Sequence, residues 1–420
     1  MSKSPFLSVL QKARCWLLML LLFFIVSPFS LHAQELSLAH EALLEKGLTV
    51  HPNTIVKAID NDFIIAGYIN GMSEAWATRT DAEGNIKWRY LEPSPEKSIA
   101  QNPMYNSATV MSDDSIFLCG EMTGTKGGGL LTHLNKDGKV INEQILPQKI
   151  SGKNLGAIFS CAAWQGGIVL VGVAMEVSPV TPTKDHPASI DTKAFYSIIF
   201  VDRTDRIEWS RFVAVRSEEF GLPTLISPLQ ITTDGGFIFT AYKFGTDVLH
   251  ITTSGNVQAQ KYFKGLLITV ARPTNNETGI KLISTDTTSG AGNALPIILI
   301  TLNDELQETG RIAEIHDPGP IKQVYRLPDQ SLILFGGLWR PRYVSQANIT
   351  WLDSTLKREK AMDLAKSETS FWIDAAVPLD APGSFACVRS VQAAVRSEGA
   401  RDHSLALDIV SIKSSNLGRE

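Results

Sequence analysis

The chain has 420 residues, 44% of them hydrophobic, with 39 Lys and Arg against 43 Asp and Glu. A net charge of −4 does not favour nucleic acid, whose binding is driven by neutralising phosphates. Three of the basic residues, Lys3, Lys12 and Arg14, precede an unbroken apolar run of 12 residues from Cys15 to Val26. The run is too short to span a bilayer, which needs about 20 apolar residues. With Ser30-Leu-His-Ala33 after it, the start reads as a secretory signal over 1–33, cut before Gln34. The expected location is therefore periplasmic or secreted, with no lipid-attachment Cys and no later membrane span. Without the signal, 36 basic residues face 43 acidic ones, a net −7.

From Gln34 onward a segment of 34–50 is expected to close the fold, with a short helical pattern over Ala39–Lys46. A repeated phrase follows, with a polar tight turn, an apolar run, a gap, a second run, an Asp/Gly turn and often an aromatic. The first apolar residues after the turn are Phe63, Ile116, Ile168, Phe237, Ile280, Leu332 and Phe385, at spacings of 53, 52, 69, 43, 52 and 53. In the first unit, strands a to d are expected at Thr54–Ile59, Phe63–Tyr68, Ala75–Thr80 and Asn85–Tyr90. Asp60-Asn-Asp62 and Asp81-Ala-Glu-Gly84 are the turns between them, built of residues that make local side-chain hydrogen bonds. The a–b and c–d turns recur in units two to six, for example at Ser112–Ser115, Thr233–Gly236, Asn135–Gly138 and Asp202–Asp205.

Four-strand units of 40 to 50 residues are the mark of β-propeller blades. The expected fold is all-β, a seven-bladed β-propeller of four-stranded blades over 51–413, with a tail at 414–420. No good strand d follows the seventh unit, so the segment from Gln34 is expected to supply it and clasp the ring. An open solenoid is the alternative, but no capping segment of the kind an open stack needs is evident. Asp234-Gly-Gly-Phe-Ile-Phe-Thr-Ala241, Asp81-Ala-Glu-Gly-Asn-Ile-Lys-Trp88 and Asp202-Arg-Thr-Asp-Arg-Ile-Glu-Trp209 resemble the repeats of bacterial exported β-propellers of the quinoprotein and delta-60 kind. The resemblance covers the whole mature chain and specifies blades rather than an activity. Quinoprotein enzymes carry the Trp in most of eight blades. Here it stands clearly in two of seven units, which argues against a quinone cofactor.

The tight turns all fall at one end of such blades. The long segments fall at the other end, where b–c loops and d–a crossovers lie. These are Thr123–Gly129, Met175–Lys193, Thr288–Ala294, Leu338–Tyr343 and Val391–His403, with crossovers Glu92–Tyr105 and Arg216–Ser227. Loops on a rigid scaffold carry recognition. Trp339, Arg340, Arg342 and Tyr343 combine the side chains most enriched at binding hot spots, on a loop stiffened by Pro341. Asp185, His186, Asp402 and His403 lie in loops of the same end, without the spacing of a metal motif. Gly127-Gly-Gly129 lacks the Lys-Ser/Thr of a phosphate loop, and no Gly-x-Ser-x-Gly elbow is present. Asn276 and Asn348 fit glycosylation sequons. Cys119, Cys161 and Cys387 read as buried thiols, with a Cys119–Cys161 bridge as the other option. The function expected is a non-enzymatic, monomeric scaffold that binds a protein or other macromolecule and needs no cofactor. A neutralising partner of a secreted effector is its concrete version. A quinone-dependent or polysaccharide-active enzyme with a site in the central funnel, and a structural subunit of an envelope complex, are the alternatives.

Overall fold

The computed structural model describes residues 34–44, 49–69, 74–92, 102–123, 127–180, 189–216, 225–243, 245–273, 280–286, 295–316, 321–340, 344–364, 370–392 and 403–414. The expected signal over 1–33, the tail from 415 and the crossover 93–101 lie outside them. Two compact units are distinguished, one of Met1–Glu35 with Ile412–Glu420 and one of Leu36–Ser411. No helix among the described residues is long and apolar enough to cross a membrane.

Among the described residues all regular elements are strands. β1 (Gln34–Leu44) comes first. Repeat one holds β2 (Val50–Lys57), β3 (Phe63–Ile69), β4 (Glu74–Thr80) and β5 (Ile86–Leu91). Repeat two holds β6 (Pro103–Val110), β7 (Ile116–Met122), β8 (Gly128–Leu134) and β9 (Val140–Ile145). Repeat three holds β10 (Lys149–Ile150), β11 (Lys153–Trp164), β12 (Gly167–Val180), β13 (Ser189–Val201) and β14 (Ile207–Ala214). Repeat four holds β15 (Leu225–Ile226), β16 (Gln230–Ile231), β17 (Phe237–Tyr242), β18 (Gly245–Ile251) and β19 (Val257–Lys264). β20 (Leu266–Pro273), β21 (Ile280–Asp286), β22 (Leu295–Leu302) and β23 (Glu308–His316) form repeat five. β24 (Ile321–Arg326), β25 (Leu332–Arg340), β26 (Val344–Leu352) and β27 (Arg358–Asp363) form repeat six. β28 (Ser370–Pro378), β29 (Ser384–Gln392) and β30 (His403–Ser414) complete the series.

The arrangement is an all-β propeller, with one correction to the expected count. Five sheets stand as separate blades rather than seven. Repeats five and six are fused into one eight-stranded sheet, because Ala271–Pro273 of β20 pairs parallel with Val324–Arg326 of β24. Two other expectations are corrected. The helical pattern over Ala39–Lys46 is strand as far as Leu44, since β1 pairs with β30. The described parts of the insertion Met175–Lys193 are strand rather than loop, because Met175–Val180 and Ser189–Lys193 continue the β12–β13 ladder rung by rung.

The core is divided among neighbours. Ile64, Ala66 and Ala77 of repeat one pack with Tyr105, Ala108 and Leu118 of repeat two. Phe117 and Leu131 pack with Ile158, Leu170 and Ile199 of repeat three. Val171, Tyr196 and Ile198 pack with Phe237, Phe239 and Leu249 of repeat four. Strands b and c are therefore buried on both faces, as in Gly128–Leu134, buried throughout. The outer strand β5 alternates buried-side and exposed residues. This is why alternation marks some strands in the sequence and continuous apolar runs mark others.

Among the described residues, lateral strands cover the edges of the innermost long strands in only two places, the β20–β24 ladder and the short β10 against the start of β11. Elsewhere side chains cover them. Asn53 Nδ2 donates to the Tyr105 carbonyl at 2.8 Å, and Asn106 Nδ2 to the Ile158 carbonyl at 2.8 Å. Ser107 Oγ accepts from Cys161 N at 3.2 Å and Ser160 Oγ from Leu229 N at 3.0 Å. Thr240 Oγ1 donates to the Ile268 carbonyl, Ala376 N to Gln323 Oε1, and Ser390 Oγ to the Val50 carbonyl. Asn53 and Asn106 are each the extra residue of a β-bulge, which turns the side chain off the sheet toward its neighbour.

The tight turns are fastened in the same way. In the c–d turns the fourth residue has positive φ: Gly84, Gly138, Asp205, Gly255, Leu306 and Leu356. Trp88 lies over Gly138 of the next repeat and donates from Nε1 to the Lys136 carbonyl at 2.9 Å. Trp209 lies over Gly255 likewise. The Trp of the sequence phrase thus binds one repeat to the next. Leu306 and Leu356 accept the left-handed conformation, which costs an L side chain about 1–2 kcal/mol, while their side chains are buried at 2% and 0% exposure.

β1 links the two ends of the series. Ser37 meets Ser411 of β30, Glu41 Oε1 accepts from Arg389 Nη2 at 2.6 Å, and His40 Nε2 lies 3.3 Å from the Glu83 carbonyl in repeat one. Arg389 is itself buried against Asp408, Nε to Oδ2 at 2.6 Å. Cys119, Cys161 and Cys387 are free buried thiols, and the Cys119–Cys161 bridge, the other option from the sequence, is not formed. Burial pushes the Cys119 thiol well up, and Cys161 Sγ lies 3.7 Å from Ser107 Oγ. Asn348 is 3% exposed and bonded to Asp363, so its sequon is closed to modification, and Asn276 lies outside the described residues.

Two predictions follow from these contacts. Arg389→Met leaves Asp408 charged and unpaired in the core, and should lower unfolding stability by about 3–5 kcal/mol in urea titration. Gly138→Ala must adopt φ +77° and meets Trp88 ring carbons at 2.6–2.9 Å, whereas Gly152→Ala adopts φ +82° with nothing within 4 Å. Calorimetry should show Gly152→Ala costing about 1 kcal/mol and Gly138→Ala about 3 kcal/mol, because only the second adds overpacking to the backbone term.

Candidate functional site

Blade topology puts every b–c hairpin at the end opposite the tight turns. At that end, among the described residues, two hairpins outgrow their sheets. The β12–β13 ladder has five rungs, Glu176↔Lys193 to Val180↔Ser189, beyond its last rungs with β11 (Asn154↔Met175) and β14 (Phe195↔Ala214). At 3.4 Å per residue the ribbon extends about 17 Å. Its base is braced by Lys153, whose Nζ lies 3.2 Å from Glu176 Oε2 and 4.5 Å from the Phe195 ring centroid. Val177, 46% exposed, stands on the ribbon itself. The β25–β26 ladder likewise adds four rungs, Gly337↔Ala347 to Arg340↔Val344, beyond those shared with β24 and β27.

The residues singled out from the sequence map onto this end by backbone position. Trp339 and Arg340 occupy the last two rungs of the β25–β26 ribbon, opposite Ser345 and Val344. They are strand, not loop. Arg342 and Tyr343 fall between β25 and β26, outside the described residues. His403 opens β30 opposite Gln392, while Asp402 before it lies outside the described residues. Asp185 and His186, between β12 and β13, also lie outside them. Nothing described brings the two Asp–His pairs together, and no group of three or more His, Cys, Asp or Glu among the described residues is placed to hold a metal ion.

The opposite end holds a feature that sequence reasoning missed. A cavity of about 260 Å³ between repeats one and two is lined by Asp60, Asp62, Arg79, Lys87, Trp88, Lys136 and Asp137. Arg79 sits in its wall, donating to Asp62 Oδ2 at 2.7 Å and the Lys136 carbonyl at 3.0 Å, with Asp114 Oδ2 at 2.9 Å. Lys87 Nζ reaches Asp62 Oδ2 at 2.7 Å. Buried charge is thus compensated, and the cluster fastens repeats more than it awaits a ligand. The same position of strand c holds His133, 3.0 Å from Asp205 Oδ1, and His250, 2.8 Å from the Asp304 carbonyl. The visible signal was Arg/His one residue before the end of strand c in repeats one, two and four.

No protein-family model matches the chain, and no curated protein sequence does. Solved structures resemble it at low identity. A protein of unknown function from Dyadobacter fermentans is 11% identical, covering 90% of this chain and 99% of its own, with a TM-score of 0.46. One from Bacteroides caccae is 11% identical, covering 74% and 97%, with a TM-score of 0.42. A quinoprotein alcohol dehydrogenase-like protein from Bacteroides thetaiotaomicron is 9% identical, covering 78% and 66%, with a TM-score of 0.40. At these values the propeller rests on the chain's own strand order, and the functions of these proteins are not carried over.

Proposed function

We propose that the chain is an exported, non-enzymatic propeller whose b–c/d–a end binds a protein or other macromolecule, with the fused sheet counted as two of seven repeats. The observation that carries this reading is the pair of hairpins that outgrow their blades at that end. At the other end the turns are tied to their neighbours by Arg79, Trp88, His133, Trp164, Gln165 and His250. A scaffold fixed at one end presents its ribbons at the other without losing order on binding, which lowers the entropy cost of docking. Trp339 and Arg340 on one ribbon, His403 at the start of β30, and Arg342, Tyr343, Asp185, His186 and Asp402 outside the described residues are the proposed contacts. Neutralisation of a secreted effector is the version that suits an exported scaffold of this kind.

The test trims one ribbon and spares the blade. Glu176–Lys193 is replaced by Asn-Gly, which closes a two-residue hairpin. The trimmed chain, a Trp339→Ala/Arg342→Ala chain and a turn-end Lys136→Ala control are immobilised and exposed to envelope extract of the producing bacterium. Melting temperatures should stay within a few degrees of one another. Partners kept by wild type and Lys136→Ala should be lost from the trimmed and Trp339/Arg342 chains. Equal recovery by all four would sink the proposal.

A further inference from the structure

A second polar cluster joins repeats one and two at the end of β5. Glu92 follows β5, is 3% exposed, and is fixed by its N–H to the Ala75 carbonyl at 2.9 Å. Its Oε2 lies 2.6 Å from the Tyr90 hydroxyl and 2.9 Å from the Tyr105 hydroxyl. The Tyr90 hydroxyl also lies 2.7 Å from Glu143 Oε2, on β9 of the next repeat. Tyr105 in turn meets Thr132 Oγ1 at 2.8 Å.

Counting hydrogens decides what this arrangement requires. A phenol has one proton to donate. Tyr90 stands within hydrogen-bond distance of two carboxyl oxygens and can donate to only one. The other contact needs a hydrogen carried by a carboxyl group. We propose that Glu92 and Glu143 form a proton-binding site, holding one proton between them through Tyr90, and that this proton fastens repeat one to repeat two. Without it, two carboxylates face each other across a single phenol.

Electrostatics agree with the count. Burial first, and Glu143 second, push the Glu92 carboxyl up to about 7 from an ordinary 4.5, while Tyr90 and Tyr105 oppose the rise. The titratable groups acting on it are Tyr90 from β5, Tyr105 from β6 and Glu143 from β9. The folded state therefore holds more protons than the unfolded state between about pH 4.5 and 7. The stabilisation is complete below about pH 4.5, is lost as pH rises through about 7, and changes little above. One linked proton changes the folding constant by at most about tenfold per pH unit.

Urea unfolding from pH 4.5 to 8 tests this on the full chain, Glu92→Gln and Glu143→Gln. Glu92→Gln keeps the neutral shape and should lack the one-proton component, so its stability gains on wild type by up to about tenfold per unit across the window. Glu143→Gln removes the facing charge and should move the window to lower pH. An infrared band of a protonated carboxyl should be present in wild type near pH 6, absent in Glu92→Gln, and should titrate at lower pH in Glu143→Gln. If Glu92→Gln does not fold, the shift in exposed Glu143→Gln decides alone. Stability curves that run parallel, or a band unchanged in Glu143→Gln, would overturn the proposal.

Discussion

The structure depends on how the inner edges of its sheets are satisfied. A β-strand at an edge presents donors and acceptors that must find partners when buried. Six of the seven junctions between successive repeats, including the last with the first, use short polar side chains: Asn53, Asn106 with Ser107, Ser160, Thr240, Gln323 and Ser390. The junction of repeats five and six uses backbone, and there the sheets merge. The merger shows what the side chains prevent elsewhere. They hold neighbouring edges at a distance where each sheet keeps its own twist, and they leave apolar faces free to pack between sheets.

This constraint explains how far the sequence could be read. The apolar runs and Asp/Gly turns were legible because each is a local event: Phe63–Tyr68 was placed as a strand and β3 is Phe63–Ile69. The turn phrase was legible because its fourth residue needs positive φ, which Gly84, Gly138 and Gly255 supply. What was not legible depends on partners about 50 residues away. Asn53 looks like any strand-edge polar residue until Tyr105 stands beside it. Trp88 and Trp209 read as a family mark, but each is the lid on a glycine in the next repeat. The merging of repeats five and six has no composition signal at all.

The candidate site was legible only as a place. The spacing of 69 residues between Ile168 and Phe237 showed that extra chain sits between β12 and β13, and the structure turns part of that chain into ribbon. Loop length alone could not say so. Glu176–Val180 alternates no more clearly than a loop, and its ladder is set by continuation of the register from Ile168↔Val201 outward. The Arg79 and Glu92 clusters escaped notice for the opposite reason. Each is made of residues that look ordinary in line and meet only because two repeats stack.

The clasp between β1 and β30 also sets an order of events. Ser37 and Ser411 are 374 residues apart, and Glu41 and Arg389 are 348 apart. During synthesis the first strand emerges long before its partner exists. Closing so long a loop adds little free energy, since that cost grows only with the logarithm of length, but contacts of such separation slow folding. Until the final repeat appears, β1 is an unpaired strand searching for a neighbour. Closure therefore waits for the last repeat, whatever order the others fold in.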